Sequence, residues 1–294
     1  MKTKVMLIGS SGYVGTQYKK FLSYLDVDLV DLSARSYFDF TNKDNLNRMI
    51  AISNPDIVIN CAGYTGKPNV DACEVDKNNC IKGNVTFPLD LADICADRKI
   101  KLGHVSSGCI YSGKKESGEG FTEGDTPNFT FRTNNSSFYS GTKALCEEMM
   151  QQYDNIYIWR LRIPFDNVES PRNYLTKLMR YSTLLEAENS ISELKEFVAA
   201  TYETFALEAP TGIYNVTNTG HVTTTGVVEL LKKYNLPTSE HEFKFFTGLE
   251  DFMTTAAKTP RSNCVLDNTK LTSIGIKMTD SYEAIENCLK TWEN

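Results

Sequence analysis

The chain has 294 residues, of which 41% are hydrophobic and 23% charged, and it carries a formal net charge of −6 at pH 7. This length allows one large domain or two closely joined ones, and the acidic balance argues against a general nucleic-acid-binding surface. We find no long apolar segment of the kind that a signal peptide or a membrane helix requires. Eight scattered cysteines without zinc-type spacing, and three distant histidines, predict a reduced cytoplasmic protein with no metal site. From the apolar pattern and the net charge we expect no membrane and no nucleic-acid partner.

Short apolar strands and helices alternate through the first half of the chain. In order, the sequence predicts a strand at 5–8, a helix to 22, a strand at 29–32, a helix at 46–52, a strand at 56–60, a helix at 88–97 and a strand at 101–106 that runs into Ser107. Continuous apolar strands between helices are typical of a parallel sheet covered on both faces. We therefore predict an α/β fold, a Rossmann-type doubly wound parallel sheet.

The second half is less regular. A long exposed loop is predicted at 113–135, followed by a helix at 140–153, a strand at 156–161, a helix at 174–181 and a strand-like run at 212–216. We expect residues 1–162 to form an NADP(H)-binding Rossmann domain. Residues 163–294 would form mainly a smaller C-terminal substrate-binding lobe, with the part around 212–217 returning to the main sheet.

A glycine loop lies between the first strand and the first helix. Gly9, Gly12 and Gly15 would permit a tight turn, close approach of a pyrophosphate and close packing of the helix on the strand. The end of the second strand bears on the choice of cofactor. Asp31 could bind a free ribose 2′-hydroxyl, as in NADH, whereas Ser33 and Arg35 together could hold a 2′-phosphate. We favour NADPH, with NADH as the alternative.

Three further residues form a candidate proton-donor group for reduction of a ketone. Tyr139 and Lys143 are spaced four apart on a predicted helix, which puts them on one face. An adjacent ammonium can lower the pKa of a tyrosine, which is otherwise near ~10. Ser107, at the end of a parallel strand, would lie at the sheet edge where ligands bind and could orient the ketone oxygen.

With these features the chain resembles the extended short-chain dehydrogenase/reductases that act on nucleotide sugars. The stretches that carry this resemblance are 60–63, Asn84-Val85 and 139–143. It is more specifically similar to the dTDP-4-dehydrorhamnose reductase-like proteins, and among them to the bifunctional 3,5-epimerase/4-reductases of UDP-rhamnose synthesis. The matching stretches are 63–71, 108–110, 125–130, 171–177 and 260–263.

The resemblance implies the remaining site residues. Cys109 and Lys177 would be the two proton-transfer residues of epimerisation. The cofactor would be bound by Gly9, Ser11, Gly12, Tyr13, Val14, Gly15, Ser33, Arg35, Asp39, Phe40, Cys61, Ala62, Gly63, Tyr64, Tyr139 and Lys143. The substrate, a nucleotide-diphosphate keto-sugar, would contact Thr65, Asn84, Ser107, Cys109, Asn173, Lys177 and Arg261, with Arg261 either a fork for the pyrophosphate or a surface arginine.

The implied activity is 3,5-epimerisation and NADPH-dependent 4-reduction of UDP-4-keto-6-deoxyglucose to UDP-L-rhamnose. One alternative is a monofunctional 4-reductase that uses a dTDP- or UDP-linked keto-sugar, and another is a non-catalytic, cofactor-binding regulatory subunit. A separate 4,6-dehydratase would supply the keto-sugar, and the superfamily suggests a homodimer. Residues 131–136 are an insertion relative to the family pattern, which could reshape the substrate entrance or form a dimer contact.

Overall fold

A six-stranded parallel sheet forms the centre of the computed structural model, which describes residues 2–32, 39–67 and 69–293. The strands are β1 (Thr3–Ile8), β2 (Val27–Leu32), β3 (Ile57–Asn60), β4 (Lys101–Ser107), β5 (Ile156–Leu161), β6 (Pro164–Phe165), β7 (Glu188–Asn189), β8 (Ser192–Glu193), β9 (Gly212–Asn215) and β10 (Val222–Thr223). The main sheet has the order β2-β1-β3-β4-β5-β9, and every pairing within it is parallel. The predicted doubly wound α/β fold is therefore confirmed.

Helices cover both faces of this sheet and build the second lobe. They are α1 (Tyr13–Leu22), α2 (Lys43–Ser53), α3 (Lys77–Ile81), α4 (Phe87–Asp97), α5 (Phe138–Met150), α6 (Tyr174–Arg180), α7 (Leu194–Ala206), α8 (Thr224–Lys233), α9 (Leu249–Thr255), α10 (Thr269–Ser273) and α11 (Ser281–Lys290). A π-helical turn at Lys82–Thr86 joins α3 to α4 into one continuous run. The sequence predicted only the second part of this run, because the polar residues before it lack a helical apolar pattern.

The order of strands reverses between β1 and β3. The chain moves outward from β1 to β2, then crosses back so that β3 pairs with the other edge of β1. In doubly wound sheets, ligands bind beyond the carboxyl ends of the strands at such a switch point. The ends of β1 and β3 carry Gly9 and Cys61, so the topology brings two predicted cofactor loops together.

Apolar side chains of the strands are buried on both faces of the sheet. Met6, Ile8 and Val58 pack toward α2 and α4, while Val5, Leu7 and Ile59 pack toward α1 and α7. The stretch around 212–217 contains β9, which pairs with β5 at the edge of the main sheet. Helix α7 and the buried residues Leu271, Ile276 and Met278 also contribute apolar surface to the face that α1 covers.

The second lobe has its own apolar core. Its buried members come from α6, α8 and α11 and include Phe165, Leu175, Val227 and Ile285. Two short ladders, β6 with β8 and β7 with β10, hold the connecting segments in place.

The predicted loop at 113–135 lacks regular helices and strands, but it is not exposed throughout. Phe121 and Phe129 are buried, and Gly113 and Phe121 form bridges with Cys264 and Leu266 of the C-terminal part. The expectation of an exposed loop was wrong for these residues, because Phe121 belongs to a small buried cluster with Tyr111, Cys264 and Leu266. Within the described residues, no helix combines the length and the apolar character needed to cross a membrane.

Candidate active site

The geometry of the loop between β1 and α1 requires glycine at two positions. Gly9 has a φ of +83°, and a Cβ there would lie 2.6 Å from the backbone nitrogen of Ala62. A Cβ on Gly15 would lie 2.2 Å from the carbonyl oxygen of Gly9, so any side chain would push α1 away from the strand. Gly12 is the N-cap of α1, whose first turn has no acidic residue. The loop and helix N-terminus therefore fit a pyrophosphate, which the N–H groups and the helix dipole attract.

Other predicted cofactor residues surround this loop. Ser11 is exposed, and Tyr13 and Val14 are half-buried at the start of α1. The segment after β3 is held from beneath, since Ala62 N–H donates to the Asn60 side chain at 2.9 Å. A cavity of about 590 Å³ opens beside it. Its walls include the predicted cofactor residues Asp39, Phe40, Ala62, Gly63 and Tyr64.

Asn84 braces the same segment. Its side-chain oxygen accepts the Tyr64 N–H at 2.8 Å, and its amide nitrogen donates to the Tyr64 carbonyl at 2.9 Å and to the Thr142 hydroxyl at 3.2 Å. Asn84 is fully buried. In the structure it therefore ties the loop after β3 to α5, and direct substrate contact by this residue stays a prediction.

Of the residues predicted to select the cofactor, Asp31 is among the described residues, whereas Ser33 and Arg35 lie outside them. Asp31 accepts a hydrogen bond from the Ser10 hydroxyl and forms an ion pair with Lys19 at 2.6 Å.

Ser107 and Tyr139 come together at the carboxyl edge of the sheet. Ser107 is the last residue of β4 and Tyr139 lies in the first turn of α5, which begins at the Ser137 N-cap. Burial and the neighbouring Cys109 sulfur raise the pKa of Tyr139, whereas the hydrogen bond with Ser107 lowers it. The net direction is upward, so Tyr139 is protonated at neutral pH and can donate a proton. We expected the Lys143 ammonium to lower the pKa of Tyr139, but the influences named above outweigh any effect of Lys143.

Lys143 lies one turn further along α5 and is 5% exposed. Burial lowers its pKa, while neighbouring sulfur atoms and Glu147 act in the opposite direction. A Cβ built on Gly63 would lie 3.6 Å from its Nζ, so the ammonium borders the predicted cofactor segment. Lys143 thus lies beside that segment, one turn of α5 away from Tyr139.

Cys109 follows β4 by two residues and is half-buried. Its backbone N–H donates to the Ser107 hydroxyl at 3.2 Å, and its Sγ accepts a hydrogen bond from Arg162 Nη1 at 3.1 Å. The sulfur also interacts electrostatically with Tyr139, Lys143 and Lys177. The structure therefore groups the predicted reductase and epimerase residues around one thiol.

Lys177 reaches this group from α6. Burial and the positive charge of Arg172 lower its pKa, and the Cys109 sulfur opposes them. Asn173 is the N-cap of α6, and its side chain accepts the Leu175 N–H at 2.9 Å while donating to Asp166 at 2.8 Å. Asn173 therefore fixes the helix that carries Lys177, and its direct contact with substrate stays a prediction.

Arg261 does not present a free fork. Its Nη1 and Nη2 donate to the two carboxylate oxygens of Asp71 at 2.7 and 2.8 Å, and this pair lowers the pKa of Asp71. The side chain is 23% exposed and paired with Asp71, and its contact with the substrate pyrophosphate stays a prediction. Nearby, Arg172 Nη2 donates to the carbonyl of Gly66 at 3.1 Å.

Three residues of the site, Asp71, Arg172 and Arg162, were not predicted from the sequence. Only the family stretches 63–71 and 171–177 pointed to the first two.

The insertion at 131–136 packs on α5. Phe131 lies against Gly141, where a Cβ would come within 2.3 Å of its ring, and it contacts Phe138 with ring centroids 5.2 Å apart. Arg132 pairs with Glu148 at 2.5 Å. The insertion therefore covers one face of α5, the helix that carries Tyr139.

Thr65, a predicted substrate residue, is half-buried in the segment after β3.

Comparisons with known proteins agree on the family. The family model described as the RmlD substrate binding domain matches residues 3–294. The chain is 37% identical over 271 residues to the bifunctional dTDP-4-dehydrorhamnose 3,5-epimerase/dTDP-4-dehydrorhamnose reductase of Arabidopsis thaliana, covering 90% of this chain and 85% of the relative.

Two solved structures resemble the whole fold. One is the L780 UDP-rhamnose synthase of Acanthamoeba polyphaga mimivirus, with a TM-score of 0.89 and 26% identity over 99% of this chain and all of that one. The other is the dTDP-4-dehydrorhamnose reductase of Bacillus anthracis in complex with NADP, with a TM-score of 0.82 and 18% identity over 99% of each chain.

Proposed function

The chain belongs to the family of the RmlD substrate binding domain, and we propose that it is an NADPH-dependent nucleotide-sugar reductase with epimerase activity at the same site. Its substrate would be a nucleotide-linked 4-keto-6-deoxyglucose. The enzyme would invert C3 and C5 and reduce the C4 ketone, which gives the nucleotide-linked L-rhamnose. The comparisons support the reductase activity in this proposal, which is the reduction of a nucleotide-linked 4-keto-rhamnose.

One observation carries the epimerase part. The Cys109 sulfur lies within electrostatic range of Lys177 and also of Tyr139 and Lys143. A site for reduction alone needs a proton donor for the ketone oxygen but has no use for a second pair of proton-transfer groups. The presence of both sets around a single thiol supports two reactions on one bound sugar.

For the reduction, bound NADPH supplies the hydride that reaches C4. The glycine loop and the segment 61–64 would hold its diphosphate and nicotinamide half. Tyr139 donates the proton that the C4 oxygen requires, because its raised pKa keeps it protonated. Ser107 orients the same oxygen, and Lys143 stabilises the tyrosinate that remains until solvent returns a proton.

For the epimerisation, each C–H bond at C3 and C5 is flanked by the C4 ketone. Removal of either proton leaves an enolate whose oxygen faces the same Ser107 and Tyr139 hydroxyls. Inversion then needs a base on one face of the ring and an acid on the other. Cys109 and Lys177 would fill these roles, since burial and Arg172 lower the pKa of Lys177 toward the range of proton exchange. One group gains a proton and the other loses one, and exchange with solvent restores both.

The nucleotide is proposed to be UDP, with dTDP as the competing choice. The solved relative is named a UDP-rhamnose synthase, whereas the Arabidopsis relative is named for dTDP-linked substrates. The diphosphate would lie near Arg172 and Arg261, the two arginines that bridge the loop at 66–71 and the second lobe. The keto-sugar is the product of a 4,6-dehydration, so a 4,6-dehydratase must supply it.

Two other functions compete with this proposal. A monofunctional 4-reductase would reduce only a sugar that is already inverted. A regulatory subunit would bind the cofactor without turnover, and the complete group of Ser107, Tyr139 and Lys143 argues against it.

Product analysis separates these functions. The protein is incubated with UDP-4-keto-6-deoxyglucose and NADPH, absorbance at the NADPH band is followed, and the product is identified by NMR coupling constants. We expect UDP-rhamnose. A 6-deoxyhexose that keeps the original configuration at C3 and C5 would reduce the proposal to a reductase, and the assay is repeated with the dTDP-linked sugar. No oxidation of NADPH with either sugar would favour the regulatory subunit.

A further inference from the structure

We propose that Arg162 is a positioning residue that holds the sulfur of Cys109 as an anion for proton transfer at carbon. This inference rests on the proposed epimerisation and names a group that neither the family pattern nor the predicted site includes. Arg162 follows β5 directly and is 2% exposed. Its Nη1 donates to Cys109 Sγ at 3.1 Å.

A second nitrogen of the guanidinium is held as well, while Nε has no partner among the described residues. Nη2 donates to the carbonyl of Ser262 at 2.6 Å and to the side-chain oxygen of Asn189. The backbone N–H of Arg162 donates to the Ser192 hydroxyl at 3.1 Å. Because these acceptors come from two separate segments of the second lobe, the fork cannot turn away from the thiol without breaking several hydrogen bonds.

Among the residues that the structure describes, no carboxylate pairs with the charge of Arg162, and its oxygen acceptors are a carbonyl and an amide. By contrast, Arg160 lies two residues earlier and is paired with Glu147 at 2.6 Å. A buried cation without an anion is costly. A negative charge is therefore expected beside Arg162. Two thiols, Cys109 and Cys264, interact with its charge, and the Cys109 sulfur is the one that accepts its hydrogen bond, at 3.1 Å.

A second thiol lies close by but does not fit this role. Cys264 is fully buried, and burial raises its pKa. Its Sγ donates to the Gly108 carbonyl at 3.3 Å, which requires the proton to be on sulfur. Cys109 is half-buried, and Lys177 lies within electrostatic range of its sulfur. A thiolate that accepts one hydrogen bond from a guanidinium keeps further lone pairs that can take a proton from a substrate carbon.

The test measures the thiol directly. The full chain is treated with iodoacetamide near neutral pH, and alkylation of the Cys109 peptide is followed by mass spectrometry in wild type, R162M and R162K. We expect alkylation about tenfold slower in R162M, the size of one lost charge-assisted hydrogen bond. R162K, which keeps the charge but not the fork, should be slowed about threefold and carries the test if R162M does not fold. R180M is the matched control, since Arg180 is exposed and paired with Glu169, and it should react as wild type does.

Activity assays then separate this inference from the proposed function. Exchange of deuterium from D₂O into C3 and C5 should fall in R162M in parallel with alkylation and recover in part in R162K. Reduction of a sugar that is already inverted should change little. Wild-type alkylation of Cys109 in the folded variants would overturn the inference. Alkylation that depends on Arg162 in a wild-type protein without any exchange at C3 or C5 would instead overturn the proposed epimerisation.

Discussion

Substitution of Cys109 by serine separates the two proposed reactions. Serine keeps the backbone of Cys109, whose N–H donates to the Ser107 hydroxyl at 3.2 Å. It replaces the sulfur that faces Arg162 with an alcohol, which at neutral pH neither gives up nor accepts a proton at carbon as a thiol does. The change therefore removes one proton-transfer group and leaves the Ser107, Tyr139 and Lys143 group in place.

The expected loss follows from what one such group supplies. A positioned acid or base contributes about 10²- to 10⁴-fold, so the rate of inversion should fall by that range in Cys109→Ser. Lys177 remains and can still remove and return a proton on its own face, so some exchange without inversion should persist. Reduction of an already inverted keto-sugar should fall less than about threefold, because no group that touches the C4 oxygen is altered.

The assay uses two substrates in parallel. UDP-4-keto-6-deoxyglucose reports inversion plus reduction, and UDP-4-keto-rhamnose, prepared with a monofunctional 3,5-epimerase, reports reduction alone. Oxidation of NADPH and the NMR spectrum of each product are recorded for wild type and Cys109→Ser. Full inversion by the variant would refute the assignment of Cys109. An equal loss with both substrates would show that Cys109 serves substrate binding or the fold rather than proton transfer.

The other predictions concern α5. Tyr139→Phe should lower reduction about a hundredfold or more while leaving part of the exchange at C3 and C5, as measured by NADPH oxidation and deuterium content; retained reduction would exclude Tyr139 as the proton donor. Lys143→Met should abolish reduction yet raise stability by about 1–2 kcal/mol, because among the described residues the buried ammonium has no hydrogen-bond or ion-pair partner. Burial holds the Lys143 pKa in the folded state below its unfolded value, so wild type should lose stability as the pH falls toward that folded pKa; urea unfolding across pH should show a smaller slope in the variant. Glu147→Ala should destabilise the fold by about 3–5 kcal/mol, since it leaves Arg160 buried at 1% exposure without its partner; an unchanged urea midpoint would contradict this.

Local patterns were enough to predict the sheet and the glycine loop between β1 and α1. Short apolar runs such as 5–8 and 57–59, bounded by polar residues or glycine, favour buried strands. The glycine spacing at 9, 12 and 15 reflects close approaches that the structure shows directly. Ser107, Tyr139 and Lys143 could also be predicted to meet, because a strand end and a helix face of four-residue spacing are properties of short segments.

Contacts between distant segments could not be predicted in this way. Asp71 and Arg261 are 190 residues apart in sequence, and their pairing depends on how the second lobe folds over the first. The same holds for Arg162, whose partners come from residues 109, 189 and 262. A weak signal did exist for Arg162, since an arginine directly after an apolar strand must find acceptors when it is buried. The partial burial of the loop at 113–135 likewise depends on bridges to Cys264 and Leu266.

The central claim is that one site both inverts and reduces the sugar, and incorporation of deuterium tests it most directly. Wild-type protein is incubated in D₂O with UDP-4-keto-6-deoxyglucose and unlabelled NADPH, and the product is examined by NMR. The proposal predicts UDP-rhamnose with deuterium at C3 and C5 and with protium at C4, since that hydride comes from the cofactor. A reduced sugar with protium at C3 and C5 and without inversion would contradict it.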